Sequence, residues 1–162
     1  MTAQRYQAIF DWFRARPAAL RALGYAQKIS VLGVYLVYGA VLAVTLWQRS
    51  GQFWRVLAVP AAVFVLGTLL RAAINRPRPY EALNFTPLFP KDTKGQSMPS
   101  RHCFSATAMA AAFTVWVPLG VAACLLAAVV AVTRVLTGVH YPSDVLAGLA
   151  FGAGAAVIGF LL

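Results

Sequence analysis

Apolar residues in this chain are gathered into blocks rather than scattered. The runs 29–47, 53–74, 101–117, 119–137 and 144–162 each approach the ~20 residues that carry an α-helix across a bilayer. The pattern predicts an all-α, polytopic membrane bundle of about five transmembrane helices in one domain. Trp47 and Trp54 flank the first short turn, where an aromatic belt places them. Upstream, residues 3–28 are too polar to span. Tyr6, Ile9, Phe10 and Phe13 recur there at helical spacing between Arg5, Gln7, Asp11 and Arg14. That reads as an N-terminal amphipathic helix, lying in the membrane interface or packed on the loops of its own protein; both use the same pattern. The polar stretch 75–100 carries five prolines, which exclude a continuous helix, and a loop of that length suits a lid or binding loop. In the last segment, Gly148 and Gly152 stand at the spacing that lets helices pack closely within a bundle.

Composition sharpens the picture. Hydrophobic residues make up 60% of the 162 and charged ones only 11%, a membrane composition. Lys and Arg number 14 against 4 acids, a net +10. The cations sit in the N-terminal segment and between apolar runs, so anionic lipid headgroups and the bilayer are the expected partners and nucleic acid is not. Arg5, Arg14, Arg16, Arg21 and Lys28 favour the cytoplasm for the N-terminus, and odd parity puts the 75–100 loop and the 138–144 turn on the same side. Asp11, Arg14, Arg16 and Pro17 interrupt any cleavable signal core, whereas the run from about residue 29 suits an uncleaved signal anchor. Cys103 and Cys124 lie within apolar runs and give neither a disulfide framework nor metal spacing.

Charged groups at the ends of membrane segments are costly and tend to be functional. Three clusters fall on the shared side. Arg71 lies in the apolar end of the second segment, with Arg78 seven residues on; guanidiniums stay charged and bind phosphate oxygens in pairs. Arg76 between them is explained by snorkelling to the interface. In Pro99-Ser100-Arg101-His102, Ser100 is placed to cap the third segment, where the first helical N–H groups make an anion site and His102 stands ready as a general acid. Arg134 ends a strongly apolar segment and needs an anionic partner. Six residues on, His140 is followed by Asp144 at i, i+4, where a carboxylate can hold the imidazole Nδ1–H and leave Nε2 to attack. Taken alone, Ser143 or Asp144 near Pro142 would also serve as an ordinary helix cap. With only Asp11, Glu81, Asp92 and Asp144 in the chain, a carboxylate-held two-metal centre has too few ligands. The set points to phosphoryl transfer without metal or other cofactor: His140 as nucleophile, Asp144 orienting it, and His102 protonating the leaving oxygen.

Arg71-x6-Arg78-Pro79, Pro99-Ser100-Arg101-His102 and Thr133-Arg134-x5-His140-x3-Asp144 resemble, in order and spacing, the motifs of the type 2 phosphatidic acid phosphatase family. Its superfamily also holds the vanadium haloperoxidases. The resemblance covers roughly residues 53–162. It implies a helical bundle with its site at one membrane face, His140 as nucleophile with Asp144, and His102 as acid. It also implies phosphate binding by Arg71, Arg78, Ser100 and Arg134, and metal-free hydrolysis. Three positions depart from the family pattern: Arg71 replaces a lysine, Thr133 a serine, and Arg101 a glycine. Arg101 removes any need for φ > 0 and adds a cation to the pocket. Many membrane members have six spans where this chain shows five. The expected substrate is a lipid phosphate: a polyprenyl (di)phosphate, a polyprenyl-phosphosugar phosphate, phosphatidylglycerophosphate or phosphatidate. Lys91 and Lys94 of the loop would shape headgroup choice. The rival readings are a phosphotransferase on the same site, a non-enzymatic lipid-binding or transport protein, and a vanadate-dependent peroxidase. The pattern fixes no oligomeric state.

Overall fold

The computed structural model describes residues 1–110 and 117–161. Seven helices order the described chain: α1 (Ala3–Arg14), α2 (Pro17–Trp47), α3 (Phe53–Ile74), α4 (Pro79–Ala82), α5 (Arg101–Met109), α6 (Val117–Leu136) and α7 (Pro142–Leu161). No strand occurs among the described residues. Local chemistry sets the boundaries. The Thr2 hydroxyl accepts the Arg5 N–H at the start of α1, and Pro17 opens α2 at a position where a missing N–H is harmless. Asn75 ends α3 in the left-handed conformation, φ 42°, with Pro77 close behind.

α2, α3, α6 and α7 are long and apolar enough to cross a membrane. Of the expected 101–117 segment, α5 supplies the first turns, and residues 111–116 lie outside the described part. α5 stands in the middle of the bundle, packed on α2, α3, α6 and α7. Two α7 glycines bring its backbone against that of α5. A Cβ on Gly148 would lie 2.7 Å from the Ser100 carbonyl oxygen, and one on Gly152 would lie 2.3 Å from that of Phe104. The small-residue spacing therefore seats α7 on α5 inside the bundle. Large apolar side chains cover the outside instead: Leu36, Leu69, Leu125 and Leu146 are all more than 60% exposed. Water would penalise that surface and lipid tails do not.

The N-terminal stretch differs from the expected single helix over 3–28. It breaks at Ala15–Arg16, and residues from Pro17 on continue into the first span. α1 is also not merely laid on an interface. Its Tyr6 and Phe10 are fully buried against Phe85, Tyr80 and Leu83 of the 75–100 loop. Of the two readings of its amphipathic pattern, packing on the protein's own loop holds for this face. Trp12, on the other side, stays half exposed.

Candidate active site

The C-termini of α3 and α6, the N-termini of α5 and α7, and the 75–100 loop meet at one end of the bundle. This placement follows from the fold: each polar cluster terminates or begins an apolar helix, and alternating helix direction brings those ends together. A pocket of about 100 Å³ opens there, lined by Arg71, Arg78, Lys91, Thr93, Gln96, Arg101, His102, Arg134, Val139 and His140. It has four arginines and a lysine, and no carboxylate among its lining residues, so its charge favours an anion.

The arginines are placed individually. Arg71, 5% exposed, donates from Nη1 to the Pro99 carbonyl at 2.9 Å. Arg78 donates from Nε to the Gly95 carbonyl at 3.1 Å. The Glu81 carboxylate ties the same loop by accepting from the Gly95 N–H at 2.9 Å and the Arg78 N–H at 3.3 Å. These two bonds hold its carboxyl below the ordinary range. The Tyr80 hydroxyl donates to the Thr93 carbonyl. Arg134 is 8% exposed, and its buried Nε has no hydrogen-bond partner among the described residues. Arg101 opens α5 in helical conformation, so the position asks for no positive φ, and its side chain is exposed at the pocket.

Ser100 takes the N-cap position of α5, but its hydroxyl does not cap the helix as expected. The residue is fully buried beside the Cys103 thiol, a weak hydrogen-bonding group. Its N–H donates to the Asp144 carbonyl at 2.9 Å, pinning the start of α5 to the start of α7.

His140 lies in the turn between α6 and α7, 2% exposed. Gly138 makes that turn with φ 73°, and a side chain there would strike the ring of Phe10. The expected bond from Nδ1 to Asp144 is corrected: the Asp144 Oδ2 is 3.8 Å away, whereas the Ser97 carbonyl is 2.8 Å away. A carbonyl only accepts, so Nδ1 carries the proton and Nε2 is the basic nitrogen. Burial, reinforced by Arg78 and Arg71, holds the imidazole below its ordinary pKa against the opposing pull of Asp144.

Asp144 acts one step further back. Fully buried, it accepts from Ser97 Oγ at 2.5 Å, the Tyr141 N–H at 2.9 Å and Arg76 Nη1 at 2.7 Å. Arg76, which the sequence suggested was an interfacial anchor, also donates to Ser143 Oγ at 2.9 Å and lies over the Tyr141 ring at 4.4 Å. Ser97 and Arg76 were missed because neither stands at a chemically telling spacing from His140. A hint was available for Arg76: Asp144 is the one acid in the 138–144 turn, and a buried carboxylate needs a cation.

A second cavity, about 240 Å³ and mostly apolar, runs from the same end into the bundle. Val31, Val34 and Tyr35 of α2, Phe64 of α3, Ser105, Ala106 and Met109 of α5 and Val130 of α6 line it. Arg101 and His102 line both cavities, and His140 lines only the polar one.

Fold and site together define a membrane-embedded helical bundle with a histidine–arginine anion pocket at one end. The pattern of the PAP2 superfamily matches residues 52–162, and the chain belongs to that superfamily. It is 42% identical over 159 residues to a lipid A 1-phosphatase of Rhizobium johnstonii, covering 91% of this chain and 57% of that protein. A decaprenylphosphoryl-5-phosphoribose phosphatase of Mycobacterium tuberculosis is 35% identical over 126 residues, 74% of this chain and 66% of its own. The chain thus spans less than two thirds of each relative's length. Among solved structures, Aquifex aeolicus LpxE superposes with a TM-score of 0.75 at 22% identity, over 99% of this chain and 95% of its own. The PAP2-type phosphatidylglycerolphosphate phosphatase of Bacillus subtilis gives 0.67 at 19% identity, over 98% and 86%. These two likenesses show the same fold.

Proposed function

We propose that this protein is a lipid phosphatase that removes a terminal phosphate through a phosphohistidine intermediate. The observation that carries the reading is a buried His140 whose Nδ1 lies 2.8 Å from the Ser97 carbonyl, beside a pocket of arginines. Arg71, Arg78, Arg101 and Arg134 would neutralise the phosphate oxygens, Arg134 through the buried Nε that lacks a partner among the described residues. Ser100 and the first amides of α5 complete the cradle, since helix-start N–H groups have no intrahelical acceptor. The Nε2 of His140 attacks phosphorus. The bond from phosphorus to the lipid oxygen breaks, and His102 gives that oxygen a proton. Water then attacks the phosphohistidine, the P–N bond breaks, and His102 takes the proton released by the water.

The two cavities support a lipid substrate. Attack in line puts nucleophile and leaving group on opposite sides of phosphorus. His140 marks one side; His102, shared with the apolar cavity, marks the other, so the chain attached to the leaving oxygen lies along α5. The named relatives act on a lipid A phosphate and a polyprenyl-linked sugar phosphate. Both pair a phosphate with an apolar anchor, the chemistry these cavities accept. Loop residues Lys91, Thr93 and Gln96, which line the pocket, would contact the headgroup. The site end also carries the cations of α1 and the start of α2, which supports an inner-membrane protein with the site on the cytoplasmic face.

The test is phosphate release from a panel of lipid phosphates in detergent with EDTA present, for the native chain and for His140→Ala. Release from one lipid class that vanishes in the variant is the expected result. Equal release from both proteins would overturn the nucleophile. Transfer to a lipid acceptor without free phosphate would make the protein a phosphotransferase.

A further inference from the structure

α1 lies outside the family match at residues 52–162, yet it reaches the centre of the site. The Tyr6 hydroxyl donates to the His140 carbonyl oxygen at 3.1 Å, a contact across 134 residues of sequence. Tyr6 is fully buried. Its ring packs on Phe85 with centroids 5.0 Å apart and on Phe10 at 6.1 Å, while Phe10 abuts the Gly138 turn.

The surroundings of His140 make this contact more than packing. Its N–H donates to the Arg134 carbonyl at 3.2 Å, its Nδ1–H to the Ser97 carbonyl at 2.8 Å, and its own carbonyl receives Tyr6. Three separate parts of the chain (α6, the 75–100 loop and α1) thus hold three atoms of one residue. Other bonds of the turn, such as the Gly138 N–H to the Val135 carbonyl at 3.0 Å and the Tyr141 N–H to Asp144 Oδ2 at 2.9 Å, hold the neighbours of His140, and the Tyr6 hydroxyl meets its carbonyl. Burial pushes the Tyr6 phenol well above its ordinary pKa, with Tyr141 and Asp144 adding to the rise and Arg76 opposing it, so the group remains a donor.

We infer that Tyr6 is a positioning residue for the reaction: from α1 it clamps the His140 backbone and so aims the imidazole at phosphorus. The inference rests on His140 being the nucleophile. It predicts a kinetic signature. The phosphate cradle is built from Arg71, Arg78, Arg101 and Arg134, none of which Tyr6 touches by hydrogen bond. Loss of the hydroxyl therefore slows attack without weakening phosphate binding.

The experiment uses the full chain in detergent and compares native protein with Tyr6→Phe, Leu88→Ala and His140→Ala. Tyr6→Phe keeps the aromatic ring and removes only the donor. Leu88 packs against the α1 cluster without belonging to the site, so Leu88→Ala removes packing at its edge and leaves the Tyr6 donor in place. The expected result for Tyr6→Phe is a kcat about 10- to 100-fold lower, the scale of a small misplacement of a reacting group. KM and the inhibition constant for inorganic phosphate stay within about twofold, because ground-state binding is intact. Leu88→Ala lowers the thermal midpoint and keeps kcat near native. A native kcat in Tyr6→Phe overturns the proposal, as does a parallel loss of phosphate affinity, or an equal kcat loss in Leu88→Ala. His140→Ala separates the two layers. If it abolishes turnover while Tyr6→Phe keeps a native kcat, only the clamp fails; if it retains turnover, the nucleophile assignment fails.

Discussion

Replacing Arg76 with glutamine removes a cation bonded to the buried carboxylate behind His140. In the native structure Asp144 accepts from Arg76 at 2.7 Å, Ser97 Oγ at 2.5 Å and the Tyr141 N–H at 2.9 Å. Hydrogen bonds to charged groups are worth about 1.5–3 kcal/mol. The Arg76 side chain is 34% exposed, so solvent screens the pair and the lower end applies, about 1.5 kcal/mol. That free energy matters at the reaction because Asp144 holds Ser97, and the Ser97 carbonyl fixes the His140 proton. Transmitted fully to the transition state, it lowers kcat about tenfold. KM and phosphate inhibition should change by less than about twofold, since Arg76 does not line the anion pocket. Arg78→Gln is the internal contrast: Arg78 does line it, so there KM and the phosphate inhibition constant rise. The assay is steady-state phosphate release with phosphate as inhibitor. Native kcat in Arg76→Gln, or a phosphate affinity reduced more than kcat, would refute the reasoning.

Other consequences are independent. Gly152→Ala places a Cβ 2.3 Å from the Phe104 carbonyl oxygen and 2.1 Å from Thr107 Oγ1; overpacking of this kind costs about 1–3 kcal/mol, and a lower thermal midpoint in detergent is the expected reading. His140 is held below its ordinary pKa by burial. Its neutral, attacking form therefore persists into more acid solution, and the acid limb of kcat/KM assigned to it by comparison with variants falls below the usual histidine value of about 6.5. The sign for stability runs the other way. The unfolded chain binds that proton first, so stability is lost as pH falls through the unfolded value, and thermal scans should show the decline. Ser105→Leu fills the apolar cavity beneath His102, and among the described residues the buried Ser105 hydroxyl has no partner to lose. KM for a long-chain lipid phosphate should rise about tenfold, a few methylene contacts' worth, while a small soluble phosphate ester is turned over as before.

Periodicity and run length were enough to mark the apolar helices α2, α3, α6 and α7, because lipid demands long apolar helices whatever they pack against. The pocket residues Arg71, Arg78, Arg101, Arg134, His102 and His140 were legible too, as charges at the ends of apolar runs. Contacts made through the backbone were not. The Ser97 carbonyl that fixes the His140 proton is an atom every residue has, and it depends on the path of the proline-rich loop. Arg76 looked like an interfacial anchor because its acid partner is 68 residues away. Tyr6 fitted an amphipathic helix equally well on a membrane or on protein, and the break at Ala15–Arg16 carried one mark, Pro17, which disfavours the helical conformation at Arg16 and suits the first position of a new helix. The Asp144–His140 spacing suggested a direct bond, but i, i+4 brings side chains together only inside a helix, and His140 precedes α7.

The central claim is that phosphorus is carried on His140. Rapid mixing with a radiolabelled lipid phosphate, alkaline quench and peptide mapping tests it directly. Label on the peptide containing His140, stable to base and lost in acid, present with EDTA and absent from His140→Ala, is the predicted result. Turnover with no trapped label under conditions where His102→Ala also accumulates none, or label on another residue, would contradict it.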